Sequence, residues 1–198
     1  HALQSILSKK SNYELICTGR KVKKGQKGIP LDIRNQVALK ELINTTAPDI
    51  LVNLAAMTNV DACELNPKLA GEINVAGLEH ICDSFKGKII HLSTDYVFDG
   101  TSGPYKEDDP LNPISIYGKT KLASEHILLE KDIKNLVIRG NVLYDYSPHT
   151  SASFLNWVVS SLKGNQEIKV VEDQFNNPTW TRSMSDIIEL SIENDLEG

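Results

Sequence analysis

The chain has 198 residues, 40% hydrophobic and 24% charged, a balance that suits a globular protein with a sizeable core. Lysine and arginine number 21 against 26 aspartates and glutamates, and the resulting charge of -5 argues against a nucleic-acid surface. Three cysteines at 17, 63 and 82 form no C-x-x-C, and the apolar run from Ile50 to Met57 is broken by Asn53 and too short to cross a bilayer.

No disulfide framework or zinc motif is visible, no signal peptide is apparent, and a reducing cytoplasm is the expected compartment. The chain starts at His1 inside a helical pattern and ends at Gly198 after another, so it reads as part of a longer protein.

Ala2, Leu3, Ile6 and Leu7 recur at helical spacing, with Lys9 and Lys10 expected in the last turn, where cations suit the helix dipole. Residues 14–18 read as a short buried strand, 21–28 as a Lys/Gly loop, and 31–33 as a strand or strand end. A helix over 37–43 precedes a strand over 49–56, and a long helix over 67–85 precedes a strand over 89–93. After a polar loop over 99–113 come a helix over 117–130 and a strand over 135–138. The chain closes with a helix over 154–162, a strand over 167–171 and a helix over 184–192.

Strands and helices thus alternate at roughly 30-residue intervals, the spacing of βαβ units. The strands are continuous apolar runs rather than alternating ones. Both features predict an α/β fold with a doubly wound parallel sheet covered on both faces, of the Rossmann type. Ligands of such sheets bind at the carboxyl ends of the strands. The candidates there are Thr18-Gly19-Arg20, Asp32 and Ile33, the segment Ala55, Ala56, Met57 and Thr58, and Ser93-Thr94-Asp95-Tyr96.

The sharpest chemical signal is Tyr117-Gly118-Lys119-Thr120-Lys121. On a helix, positions i and i+4 share a face, and an ammonium one turn from a phenol lowers its pKa from about 10. A phenol so tuned exchanges protons near neutral pH. Alone the pattern is weak, since tyrosine and lysine are common on helix surfaces. It gains weight because the helix follows a buried strand ending in Thr94, whose hydroxyl would reach the same crevice. Thr94 and Tyr117 could then both hydrogen-bond one carbonyl oxygen. The competing reading of Thr94 is a strand-end hydroxyl that caps its own backbone.

The run Ser93-Thr94-Asp95-Tyr96-Val97-Phe98-Asp99-Gly100, followed by Tyr117 to Glu125, resembles the extended short-chain dehydrogenase/reductase superfamily. Within it, the chain is most similar to the dTDP-4-dehydrorhamnose reductase family. Pro48 to Asp61 resembles the family's PD-x-(V/I)-(V/I)-N-x-A-A-x-T-x-V-D segment, Asn74-Val75 a mid-helix N-x, and Asp173 to Thr179 its D-Q-x-G-x-P-T segment. The resemblance implies that Tyr117 is the general acid, that Lys121 binds the cofactor ribose and tunes Tyr117, and that Thr94 orients the substrate carbonyl. It also implies that Ala55, Ala56, Met57 and Thr58 line the cofactor crevice, that Asp32 and Ile33 sit by the adenine, and that Thr94 and Asp95 contact the sugar.

Residues 1–145 are expected to form the NADP-binding domain, whose first strand and glycine-rich phosphate loop would precede His1. Residues 146–198 are expected to begin a smaller substrate-binding region. Asn176 stands where the family has a glycine, and Val142 stands where a bulky substrate-facing tryptophan is expected. An acid after the second strand of such folds binds the ribose 2′-hydroxyl, whereas cations accommodate a 2′-phosphate. That strand ends in Thr18-Gly19-Arg20-Lys21, with Lys23 and Lys24 behind it and no acid, so NADPH is expected over NADH.

The implied reaction is NADPH-dependent reduction of the C4 ketone of a dTDP-linked deoxysugar. The implied partner is a small nucleotide sugar, with no nucleic acid, membrane or metal, and a homodimer is compatible with the sequence. The alternatives are another nucleotide-sugar epimerase or reductase, and an NADP-binding regulatory subunit resembling the methionine adenosyltransferase β subunit. A dehydratase is disfavoured because Asp95-Tyr96, not Asp-Glu, follows Thr94. His91 reads as a hydrogen-bonded core histidine, and His80, His126 and His149 have no metal spacing.

Overall fold

The computed structural model describes residues 2–22, 28–131, 133–146 and 154–198. Lys23, Lys24 and His149 lie outside the described residues. The chain divides into two compact units, one of His1–Leu15 and Gly140–Asp195, the other of Ile16–Arg139 and Leu196–Gly198.

The larger unit is built on a three-stranded sheet of order β3-β4-β5, formed by β3 (Ile50–Asn53), β4 (Lys88–Thr94) and β5 (Asn135–Gly140). β3 and β4 run parallel, with Ile50 opposite Lys88 and Asn53 opposite His91. The central strand β4 is buried at every position but Leu92, as expected of a strand covered on both faces. A separate parallel pair joins β1 (Thr18–Gly19) to β2 (Ile29–Pro30).

Around these strands lie α2 (Gln36–Thr46), α3 (Val60–Leu65), α4 (Pro67–Gly71), α5 (Gly77–Ser84) and α6 (Ile116–Leu129). Leu39, Ile43, Leu78, Ile81, Cys82, Phe85, Ile89 and Leu128 pack into one core from α2, α5, β4 and α6. Side-chain caps fix where the helices start. Asn35 accepts from the Ala38 amide at 3.1 Å, Asn59 from Ala62 at 2.7 Å, and Ser115 from Gly118 at 3.0 Å. The last cap places the start of α6 one residue before Tyr117.

The smaller unit contains α1 (Ala2–Leu7), α7 (Phe154–Lys163), α8 (Thr181–Glu193) and the parallel pair β6 (Leu143–Tyr144) with β7 (Thr179–Trp180). Lys10 bonds Glu189 of α8 at 2.7 Å. Asp145 accepts from the Thr181 hydroxyl at 2.6 Å.

Several elements differ from the sequence expectation. The strand expected over 14–18 is only β1. Its ladder begins at Cys17, whose carbonyl accepts from the Ile29 amide, while Leu15 and Ile16 are 37% and 38% exposed. The strand expected over 31–33 is a turn, closed by the Asn35 amide on the Asp32 carbonyl at 2.9 Å and by a fork of Arg34 on the Asp32 carboxylate. The strand expected over 167–171 is absent, and β7 pairs with β6 instead. Lys9 and Lys10 lie beyond the end of α1. The expected helix over 67–85 is helical throughout 67–84 but interrupted by a π turn at Glu72–Ala76, and α3 was not foreseen. Among the described residues no helix is long and apolar enough to cross a membrane.

Candidate active site at the end of the central strand

β4 ends at Thr94, and α6 places Tyr117 and Lys121 one turn apart beside it. Lys121 is only 1% exposed, and its Nζ donates to the Leu92 carbonyl at 2.8 Å and lies 3.0 Å from His91 Nε2. Burial lowers the Lys121 pKa to about 8, with the Glu125 charge acting in the opposite direction. Tyr117 is half-buried and stands edge-on to Tyr96, with ring centroids 5.7 Å apart. Burial raises its pKa, and a hydrogen bond with the Thr94 hydroxyl works against that rise. Burial therefore dominates at Tyr117, and the lowering of the phenol expected from Lys121 is not seen.

Thr94 is buried. Its hydroxyl donates to Asp95 Oδ1 at 3.2 Å and accepts from the Tyr96 amide at 3.2 Å. The backbone-capping role weighed for Thr94 is thus present together with its contact to Tyr117. Burial raises the Asp95 pKa, against the hydrogen bond from Thr94.

The segment Ala55 to Thr58 leaves the end of β3. The Ala55 amide donates to Asn53 Oδ1 at 3.1 Å. Met57 is held by both its backbone groups. Its amide donates to Asn74 Oδ1 at 2.7 Å, and its carbonyl accepts from Asn74 Nδ2 at 3.1 Å. Asn74 Nδ2 also donates to Thr120 Oγ1 at 3.0 Å, and Thr120 donates to the Tyr117 carbonyl at 2.8 Å. One amide in the π turn therefore ties the loop after β3 to α6, and such turns recur at functional sites.

Arg20, Asp32 and Ile33 form a second group at the ends of β1 and β2. The Arg34 guanidinium holds the Asp32 carboxyl at about 2, with a smaller pull from Arg20. Ile33 packs over Gly77 and accepts from or donates to nothing at its side chain, while its carbonyl meets His80 Nδ1 at 3.1 Å. Asp32, Arg34, Asn35, Glu72, Ala76 and His80 line a cavity of about 530 Å³. Val142 belongs to the smaller unit. With Tyr144, Phe154, Leu155 and Pro178 it lines a cavity of about 310 Å³, and its φ of 31° is strained for a β-branched residue.

A family model described as the RmlD substrate binding domain matches residues 1–197. The chain belongs to this family. A dTDP-4-dehydrorhamnose reductase of Burkholderia thailandensis is 36% identical over 159 residues, which is 78% of this chain and 52% of that protein. The crystal structure of a hypothetical dTDP-4-dehydrorhamnose reductase from Sulfolobus tokodaii superposes with a TM-score of 0.86 at 32% identity, covering 100% of this chain and 69% of that one. A dTDP-4-dehydrorhamnose reductase from Bacillus anthracis, solved in complex with NADP, gives a TM-score of 0.79 at 32% identity over 85% of this chain and 61% of that one. The chain spans between half and about three fifths of the length of the curated relatives it matches. The fold is the Rossmann-type α/β class with parallel strands.

His91 is buried and hydrogen-bonded as expected, whereas Asn53, Asn74 and Glu64 of α3 carried no expected role. Glu64 accepts from the Ile116 amide at 2.7 Å and so holds the first turn of α6 across 52 residues of chain. Asn53 and Asn74 do fall within the segments that carry the resemblance, which is the one signal that singled them out.

Proposed function

We propose that the protein reduces the C4 ketone of dTDP-4-dehydro-L-rhamnose to dTDP-L-rhamnose with NADPH. The observation that carries this reading is that α6 sets Tyr117 one turn before a buried Lys121 beside the strand-end Thr94, in a chain of this family. The donor set fits such a cofactor. Arg20 offers an exposed cation at the end of β1, the loop from Ala55 to Thr58 is held by hydrogen bonds to Asn53 and Asn74, and Lys121 supplies an amine beside the reacting hydroxyls.

When bound, NADPH supplies hydride to the sugar C4. Tyr117 donates its proton to the C4 oxygen, so that ketone becomes alcohol, and the raised pKa keeps the phenol protonated for that donation. Thr94 hydrogen-bonds the same oxygen and holds it toward Tyr117. Lys121 binds the cofactor ribose. Asp95 would contact the sugar, and Asp32 and Ile33 would contact the adenine. Arg20 would hold the 2′-phosphate, which would make NADPH the better cofactor than NADH.

In this reading residues 1–145 carry the nucleotide and residues 146–198 begin the sugar-binding region. The cytoplasm is the working compartment, in keeping with free thiols at Cys17, Cys63 and Cys82. Mixing the intact protein with NADPH and dTDP-4-dehydrorhamnose tests the proposal. Sugar-dependent loss of NADPH with formation of dTDP-rhamnose is expected. Tight NADPH binding without oxidation by any dTDP-4-keto sugar would favour the regulatory-subunit alternative.

A further inference from the structure

His91 is 1% exposed and no step above uses it. It lies on β4 between Asn53 of β3 and Lys121 of α6. Its protonation can be worked out from its neighbours. The Ala55 amide donates to Asn53 Oδ1 at 3.1 Å, which fixes the orientation of that amide and leaves Nδ2 facing His91 Nδ1 at 3.1 Å. Asn53 Nδ2 can only donate, so Nδ1 accepts and the imidazole proton sits on Nε2. Nε2 lies 3.1 Å from Ser124 Oγ and 3.0 Å from Lys121 Nζ. The Ser124 hydroxyl spends its proton on the Lys121 carbonyl at 2.6 Å, so its oxygen is free to accept from Nε2.

We propose that Asn53 and His91 form a tautomer lock on Lys121, in which the imidazole N–H on Nε2 faces the lysine head group and favours the amine over the ammonium. An amine shares the Nε2–H with Ser124 Oγ while donating to the Leu92 carbonyl. An ammonium has no lone pair, and its third proton meets the imidazole N–H head on. His91 is therefore a positioning residue that holds Lys121 and sets the pH at which it changes charge. The inference rests on the reductase reading for its consequence in turnover, and on geometry alone for the lock.

Glu125, one turn along α6, favours the ammonium, but it is itself held by Arg139 of β5 through contacts of 2.8 to 3.2 Å and by the Ser93 hydroxyl. Tyr117 lies one turn before Lys121, and Asp95 follows β4. Burial and the Lys121 charge hold His91 at about 3, so the imidazole is neutral through the working range. Lys121, at about 8, then loses its charge just above neutrality.

The experiment uses the intact protein with ¹⁵N-histidine and lysine labelled with ¹³C at the ε carbon. In the wild type, His91 should show an acceptor-type Nδ1 and a protonated Nε2, and Lys121 should titrate near pH 8. Asn53→Asp places a carboxylate against Nδ1, draws the proton there, and turns the Nε2 lone pair toward Nζ. The Lys121 midpoint should then rise by about one pH unit or more. The alkaline limb of kcat for NADPH-dependent reduction should move with it, while KM for the sugar stays within about threefold. A protonated Nδ1 in the wild type, or an unmoved Lys121 midpoint in folded Asn53→Asp, would overturn the lock. Should Asn53→Asp not fold, the wild-type nitrogen spectrum decides. If the wild type does not turn over the sugar, the reductase reading fails while both spectroscopic measurements still decide the lock.

Discussion

In the proposed reaction, Tyr117, Lys121 and Thr94 would divide between them the tasks of donating a proton, binding a cofactor and orienting a carbonyl. In the proposed reaction, Tyr117→Phe removes only the proton donor, so turnover should fall by about 10²–10⁴ with NADPH binding nearly intact. Wild-type turnover in that variant would remove Tyr117 from the mechanism. Lys121 makes a second prediction, this time about stability. Its folded pKa of about 8 lies below its ordinary 10.5, so the native state loses the proton first. Between those values the unfolded chain binds more protons, and stability rises with pH. The charge therefore destabilises the fold at neutral pH, by on the order of 3 kcal/mol at most, and that penalty disappears as pH climbs past the unfolded value. Denaturant unfolding of wild type and Lys121→Met should show the wild type gaining on the variant between pH 8 and 10.5, a difference that stays flat if Lys121 titrates normally. At the other end of the cofactor, Arg20→Asp should shift preference from NADPH toward NADH, because it removes a cation and adds a repelling charge. Equal wild-type affinity for both cofactors, measured by titration, would contradict that role.

At the scale of elements, the i, i+4 spacing on α6 and the strand-end hydroxyl of β4 were legible, because both follow from local periodicity. The grip of Asn74 was not. It joins Met57, 17 residues away, to Thr120, 46 residues away, and no local pattern carries such a pairing. The π turn was hidden for a related reason, since its apolar residues fit the same continuous helical pattern as α4 and α5. Asn74→Ala leaves the Met57 amide and carbonyl without these partners, which should cost about 1–3 kcal/mol of stability and weaken NADPH binding more than it changes the folded spectrum. An unchanged melting temperature and unchanged NADPH affinity would show that the loop is held by other means. The strand misread over 14–18 has a different cause. Apolar runs report a capacity for burial, whereas a strand also needs a ladder, and only residues from Cys17 onward find one.

Across the whole molecule, alternating strands and helices sufficed for the α/β class, and the motif segments sufficed for the family, because both are distributed over the chain rather than held in one element. The division into two compact units was less legible, since the first 15 residues group with residues 140–195 rather than with their neighbours in sequence. The Val142 position shows the same limit, as neither its strained φ nor its cavity in the smaller unit is written in the local sequence. What unites these features is one claim, that hydride reaches C4 of a dTDP-linked 4-keto sugar while Tyr117 protonates the oxygen. The most direct test is to supply NADPH deuterated at the transferable position with dTDP-4-dehydrorhamnose and to locate the label in the product by NMR. A single deuterium at C4 of the rhamnosyl ring is the expected result. Label at another ring carbon, or none in a product that has formed, would contradict it.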